Sequence, residues 1–242
     1  MAGIGSRNKT MDVFIKFEDN NIHNSDIKWY LADESLWITE YENYADIEQS
    51  IGDSYGSFNW LYDINDTLLF EKQSGKFRLA VISLSGKIIL SESVAESKAR
   101  KISGSLYFTK REHTDFEFDD VVCYVCEKDY LYSCSEKFLL NAETVELVMT
   151  ADFSFFICQD LLVGWGLNHA SKHLKSSYES DKGGDKHSEE LLTAYLKALK
   201  IWEEDENKTD ELVKLLEKVQ QHDDASGFAI KECLDNILEN ML

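Results

Sequence analysis

The chain has 242 residues, with 45 Asp and Glu against 25 Lys and Arg for a formal balance of −20, and 43% of its residues are hydrophobic. That apolar content suffices for a core and excludes a wholly disordered chain, while an anionic surface repels nucleic acid phosphates and anionic lipid headgroups and steers cationic proteins towards it. There is no run of about 20 apolar residues such as a membrane-spanning helix needs, the start lacks the pattern of a secretory leader, and five irregularly placed cysteines read as reduced thiols, so a cytoplasmic protein is expected.

Residues 1–10 are small and polar without periodicity and read as a tail or added segment outside the fold. Val13, Ile15 and Phe17 alternate with Phe14, Lys16 and Glu18, which predicts a strand stopped by Asp19, Asn20 and Asn21. Short apolar pieces follow over 29–41. Tyr44, Ile47, Glu48 and Ile51 are spaced as one face of a brief helix that ends at Gly52. Leu79 to Leu84 and Lys87 to Leu90 flank Gly86 and predict a hairpin, glycine supplying the positive φ of a tight turn. A short helix is expected over 93–101, then strands over 105–109, 116–127, 130–134, 145–150 and 153–158.

Strands not interleaved with long helices predict an α+β fold with a mostly antiparallel sheet, filling a β-rich domain over 11–175. Residues 176–186, with Gly183 and Gly184 among charges, read as a linker. Over 187–242 the period turns helical in three stretches. Leu191, Leu192, Tyr195, Leu199 and Trp202 lie behind a Ser188 cap; Leu212, Leu215, Leu216 and Val219 follow Thr209; Ile230, Cys233, Leu234, Ile237, Leu238 and Met241 follow Ser226. Their apolar faces suit packing on one another or on the sheet. The chain has no proline, so every backbone amide can donate a hydrogen bond.

Motifs for chemistry are sparse. Gly52-Asp53-Ser54-Tyr55-Gly56 fits the Gly-x-Ser-x-Gly nucleophile elbow of α/β-hydrolases, and Asp152 or Asp160 with His169 would complete a triad in the proper order. That elbow needs a strand arriving and a helix leaving, the reverse of the pattern here, so a serine hydrolase built on Ser54 is the alternative function. Cys123 and Cys126 have zinc-knuckle spacing, but on a continuous strand they point to opposite faces. His169 and His173 share a helical spacing, with Ala170 where metalloprotease helices carry a glutamate, and read as a solvated pair. Gly164-Trp165-Gly166 lacks the third glycine of a dinucleotide fingerprint. Lys98, Arg100, Lys101, Lys110 and Arg111 adjoin acidic residues over 112–120 and read as internal charge balance. No catalytic residue, cofactor or metal is assigned.

One stretch combines large aromatics with carboxylates. Over 29–63, Trp29, Tyr30, Trp37, Tyr41, Tyr44, Tyr55, Trp60 and Tyr62 alternate with acidic residues, the vocabulary of binding hot spots facing a Lys- or Arg-rich surface. The expected contact residues are Asp33, Glu34, Trp37, Glu40, Tyr41, Glu42, Tyr44, Asp46, Tyr55 and Trp60. In composition alone, acidity with Tyr and Trp, the chain resembles nuclease immunity proteins. The resemblance implies a non-enzymatic inhibitor that covers the basic cleft of a toxin, and it carries over no residue.

Overall fold

The computed structural model describes residues 11–16, 25–58, 66–84, 88–92, 97–110, 112–118, 121–176, 188–204 and 209–239. The alternating run at the start forms β1 (Val13–Lys16), and β2 (Ile27–Tyr30) and β3 (Ser35–Ile38) are joined by a turn in which Glu34 takes a φ of 46°. Helix α1 (Tyr44–Ile51) opens at Asn43, whose side chain accepts the Asp46 N–H, and closes at Gly52, as the spacing of its apolar residues predicts. Then come β4 (Ser54–Ser57), β5 (Thr67–Glu71), β6 (Phe77–Ser83), β7 (Ile88–Ser91), β8 (Arg100–Ser103), β9 (Ser105–Phe108) and β10 (Val122–Val125). A 3-10 turn (Cys126–Lys128) leads to β11 (Tyr130–Cys134), the single turn α2 (Glu136–Leu139), β12 (Thr144–Val148), β13 (Phe153–Cys158) and β14 (Leu161–Asn168). A second 3-10 turn (Ala170–His173) precedes the two-residue β15 (Leu174–Lys175), and the chain ends in α3 (Glu189–Glu204), α4 (Thr209–Val219) and α5 (Ala225–Glu239).

Among the described residues the strands form a six-stranded sheet ordered β15-β2-β3-β6-β5-β4, a seven-stranded sheet ordered β7-β10-β11-β14-β13-β12-β8, and the pair β1-β9. Pairing is mostly antiparallel, with parallel contacts of β7 to β10, β8 to β12 and β15 to β2, so the protein is α+β as its pattern predicts. The period of two sends Trp29, Leu36, Ile38, Leu68, Phe70, Ala80 and Ile82 from the smaller sheet, and Leu131, Leu147, Phe153, Phe155, Trp165 and Leu167 from the larger, into one shared core. Phe77 meets Phe155 edge-on across it, with ring centroids 5.4 Å apart. Leu191, Leu192 and Tyr195 of α3 and Ile230 and Leu234 of α5 belong to the same cluster, which places the C-terminal helices on the sheets. The Ser188 hydroxyl caps α3 by accepting the Leu191 N–H, Asp224 caps α5 by accepting the Gly227 N–H, and Ser226 accepts the Ser188 N–H between them.

Each sheet keeps a smaller cluster on its outer face under one short helix. On the six-stranded sheet Trp37, Leu69 and Leu79 pack beneath Ile47 and Ile51 of α1; on the seven-stranded sheet Val125, Tyr132, Cys134 and Phe156 pack beneath Phe138 and Leu139 of α2.

Three expectations need correction. The hairpin around Gly86 does not form. β6 lies inside its sheet with β3 and β5 on its two edges, which leaves no edge for the next strand, and β7 instead joins the other sheet beside β10; Gly86 itself is outside the described residues. Of the helix expected over 93–101, residues 93–96 lie outside the described residues and 97–99 are irregular, while Arg100 and Lys101 belong to β8, where Lys101 sits opposite Glu146 with their charges 2.9 Å apart, a cross-strand pairing that favours the strand. Among the described residues of the strand expected over 116–127, only those of β10 are in a strand. Phe116 and Phe118 reach the core from irregular backbone whose amides are held by Ser57 Oγ at 3.2 Å and Asp66 Oδ2 at 2.6 Å instead of by a ladder. Of the expected linker, Ser176 is buried with its hydroxyl donating to Glu232 at 2.6 Å; the remainder, like residues 1–10, lies outside the described residues.

Candidate functional site

Alternation along β2 divides its side chains: Ile27 and Trp29 go to the shared core, and Lys28 and Tyr30 go to the outer face roofed by α1. Trp37 on β3 is paired in register with Lys28 and forms the floor of that face. Its indole is 3% exposed, its N–H donates to Ser35 Oγ at 3.0 Å, and Tyr30 and Tyr44 stand against it at 73° and 67° with centroids 5.5 and 4.5 Å away. These are the edge-to-face arrangements that aromatic quadrupoles favour.

Two cations lock the margin. Lys28 is almost wholly buried, and its ammonium donates to the Tyr41 carbonyl at 3.0 Å while pairing with the exposed Glu42 carboxylate at 2.8 Å, which satisfies a charge that burial would otherwise penalise. Arg78 comes from a β-bulge: Leu79 and Phe77 lie opposite Leu69 and Phe70, so Arg78 is the extra residue and the strand's alternation breaks there. Its guanidinium donates to the Tyr41 hydroxyl at 2.7 Å and reaches the Ser50 carbonyl at 3.4 Å, a cation at the negative end of α1.

The charges of the face are felt by its tyrosines. Burial, then Glu42 and Asp33, push the Tyr30 phenol above its ordinary range; burial, then Asp33, do the same to Tyr44, against the opposing hydrogen bonds with Ser35 and Trp37. One carboxylate, Asp33, therefore acts on both rings.

Of the ten residues expected to contact a partner, the fold brings Tyr41 and Tyr44 against Trp37 and ties Glu42 to the margin through Lys28, while the exposed Asp33 and Glu40 lie in the turns before β3 and α1. Trp37 is corrected from contact residue to support: alternation buries it, so its ring is covered by the tyrosines that project. Asp46 lies in the first turn of α1, where a carboxylate also complements the helix dipole. Glu34 does not join the group; burial raises its carboxyl, and its charge bears on Tyr195 and Cys233 of the C-terminal helices. Tyr55 is on the opposite face, paired in register with Phe70 and packed against the shared core, with His113 6.1 Å from its ring. Trp60 lies outside the described residues. Tyr30 belongs to the face although it is not among the ten; the alternation of Ile27, Lys28, Trp29 and Tyr30 is the signal that finds it.

Tyr30 and Glu42 also line a groove of about 850 Å³ beside β2, shared with Asp26, Lys28, Asp152 and His173. At its wall His173 Nε2 approaches the Asp152 carboxylate at 3.1 Å, and His169 Nδ1 reaches the same carboxylate at 2.8 Å from an exposed ring, so the expectation of a solvated pair holds for His169 and is corrected for the largely covered His173. Among the described residues no group of three or more His, Cys, Asp and Glu side chains is arranged to hold a metal ion. The 3-10 turn between the histidines is held from inside by Asp129, whose carboxylate accepts Ser171 N–H at 3.0 Å, Ser171 O–H at 2.7 Å and Tyr124 O–H at 2.9 Å.

The other motifs have structural partners. Ser54 is wholly buried at the start of β4, after a helix and before a strand, and its hydroxyl donates to the Ser50 carbonyl at 2.8 Å, without the exposed, base-paired geometry of a nucleophile elbow. Cys123 packs in the outer cluster of the larger sheet and Cys126 against the shared core, and none of the five cysteines is in a disulfide. Lys101 and Lys110 pair with Glu146 and Asp12. Comparison with known protein families, curated protein sequences and solved structures finds no match to this chain.

Proposed function

We propose that this protein is a non-enzymatic binding module that neutralises a basic partner protein in the cytoplasm, most concretely an immunity protein covering the cationic cleft of a toxin that acts on nucleic acid. The supporting observation is the outer face of the six-stranded sheet, where Tyr30 and Tyr44 are held on a buried tryptophan, with the exposed carboxylates of Asp33, Glu40 and Glu42 in the flanking turns. Rigid aromatic anchors lose little freedom on binding, and carboxylates placed where phosphates would sit compete for the same cationic cleft. With a net charge of −20, encounter is accelerated and salt-dependent.

The test is retention of a basic protein from the source cell at low salt by the wild type and by a Asp33→Lys, Tyr44→Ala double variant. The retained protein is then purified, rebound and assayed for toxicity with and without this chain. Loss of two hot-spot contacts is expected to weaken binding by at least about 30-fold, and coexpression of the wild type is expected to abolish toxicity. Equal binding by the variant, or a partner whose activity is unaffected, would overturn the proposal.

A further inference from the structure

Beyond the aromatic face, we infer that the groove beside β2 is a separate binding site, and that it takes a short extended peptide segment carrying carboxylates. The groove encloses about 850 Å³, a volume within the range of ligand sites, between β2 and the turn and strand that bear Lys172 and Lys175. Some of its ionisable groups satisfy one another. The Lys28 ammonium pairs with Glu42 at 2.8 Å, and the two oxygens of Asp152 meet His169 and His173 at 2.8 and 3.1 Å. Lys172, Lys175 and Asp26 are left over, and none of the three forms an ion pair among the described residues. A ligand that completes the groove therefore brings carboxylates for two ammonium groups and N–H donors for one carboxylate. An acidic peptide has both. A phosphodiester strand suits the groove less, because Asp26, Glu42 and Asp152 line it and the whole chain carries −20.

Register places the lysines. Leu174 and Lys175 of β15 lie opposite Trp29 and Tyr30 of β2. Leu174 and Trp29 are buried in the shared core, so Lys175 and Tyr30 emerge together on the outer side, from strands about 5 Å apart. Lys172 comes from the 3-10 turn, whose backbone is fixed by the Asp129 carboxylate accepting Ser171 N–H at 3.0 Å and Ser171 O–H at 2.7 Å. Both lysines thus start from backbone that is ordered before a ligand arrives, which lowers the cost of binding. From Asp26 to Tyr30 the groove wall extends about 13 Å at roughly 3.3 Å per residue, the length of three or four residues of extended peptide.

The experiment titrates isotope-labelled full-length protein at low salt with tetra-glutamate and with tetra-glutamine, both acetylated and amidated, following backbone amide signals. Tetra-glutamate is expected to shift the amides of Tyr30, Lys172 and Lys175 and to bind more tightly than tetra-glutamine. Lys172→Ala and Lys175→Ala are each expected to weaken it by about two- to fivefold, the range of one solvent-accessible ion pair, with the amide spectrum of the fold intact. Lys98→Ala, at an exposed lysine outside the groove, is expected to leave the affinity unchanged. Absence of shifts at the groove, equal affinity for the two peptides, or wild-type affinity in the variant lacking both lysines overturns the inference. Tighter binding of tetra-thymidylate than of tetra-glutamate at the same amides overturns the assignment to a peptide. Tyr44→Ala is expected to bind tetra-glutamate as the wild type does, so the groove is tested apart from the aromatic face.

Discussion

The outer faces of the two sheets use the same materials to opposite ends. On the six-stranded sheet α1 roofs Trp37 and leaves Tyr30, Tyr41 and Tyr44 standing out among carboxylates. On the seven-stranded sheet Tyr130 and Tyr132 lie stacked at 16° with centroids 5.4 Å apart, and the nearby Glu146 is buried against Lys101. The difference comes from the strand alongside. β14 presents Gly164 and Gly166 outward and Trp165 inward, and a Cβ on Gly166 would come 2.2 Å from the Tyr130 hydroxyl, so the glycines make the dent into which the tyrosine sinks. β3 presents Trp37 instead, a ring large enough to prop its neighbours outward. Tyr132 is buried and Tyr130 half-buried on the seven-stranded sheet while Tyr44 is exposed on the six-stranded one, which is the physical ground for proposing recognition at one face.

Changes to the supporting residues should test that contrast most strongly. Trp37→Ala removes the prop and is expected to cost about 3–5 kcal/mol, read as a lower urea midpoint, together with loss of partner binding. Phe156→Ala, in the outer cluster of the other sheet, should fall in the same range while leaving binding unchanged. If Phe156→Ala abolished binding as well, the division of labour between the faces would be wrong.

Gly164→Ala is expected to cost about 1–3 kcal/mol, because its Cβ would meet the Ser133 carbonyl oxygen at 2.3 Å and Cys134 Cβ at 2.7 Å. Gly166→Ala should cost less, since the nearest atoms belong to the far end of a side chain that can swing away; near-ultraviolet circular dichroism should then show a mobile Tyr130. Arg78→Ala should cost about 1.5 kcal/mol by freeing the Tyr41 hydroxyl and the end of α1, with Arg78→Lys recovering only part.

Alkaline titration tests the burial of the tyrosines on the seven-stranded sheet. Burial, then the neighbouring Cys123, push Tyr132 up to about 12, and burial, then Glu146, raise Tyr130. A phenol raised in the folded state favours its neutral form there. Its stabilising contribution is therefore complete below the unfolded value near 10 and is lost as pH climbs through the folded value. The urea midpoint should fall between pH 10 and about 12, and Tyr132→Phe should reduce the fall. The smallest expected effect on stability is that of Tyr44→Ala, within about 1 kcal/mol because the ring is exposed, even though the same change should be among the most damaging to binding.

Much of this was readable along the chain. The helix at 44–51 with its Gly52 stop, the strand at 153–158 and the Ser188 cap follow from periods and caps, which are set by residues within a turn of one another. The acidic and aromatic segment was visible as well, though not its division: Trp29 to the shared core, Tyr55 to the inner face, Glu34 towards the helices, and Tyr30, Asp33, Tyr41, Glu42 and Tyr44 together outside. A period of two separates neighbours onto two faces without saying which face meets solvent. That choice belongs to the tertiary structure, as does the transfer of the chain from β6 to the other sheet and the parallel pairing of β7, β8 and β15. Strand partners come from distant parts of the chain and compete for a limited number of free edges, so local preference selects the element while the packed whole selects its neighbours and its exposed side.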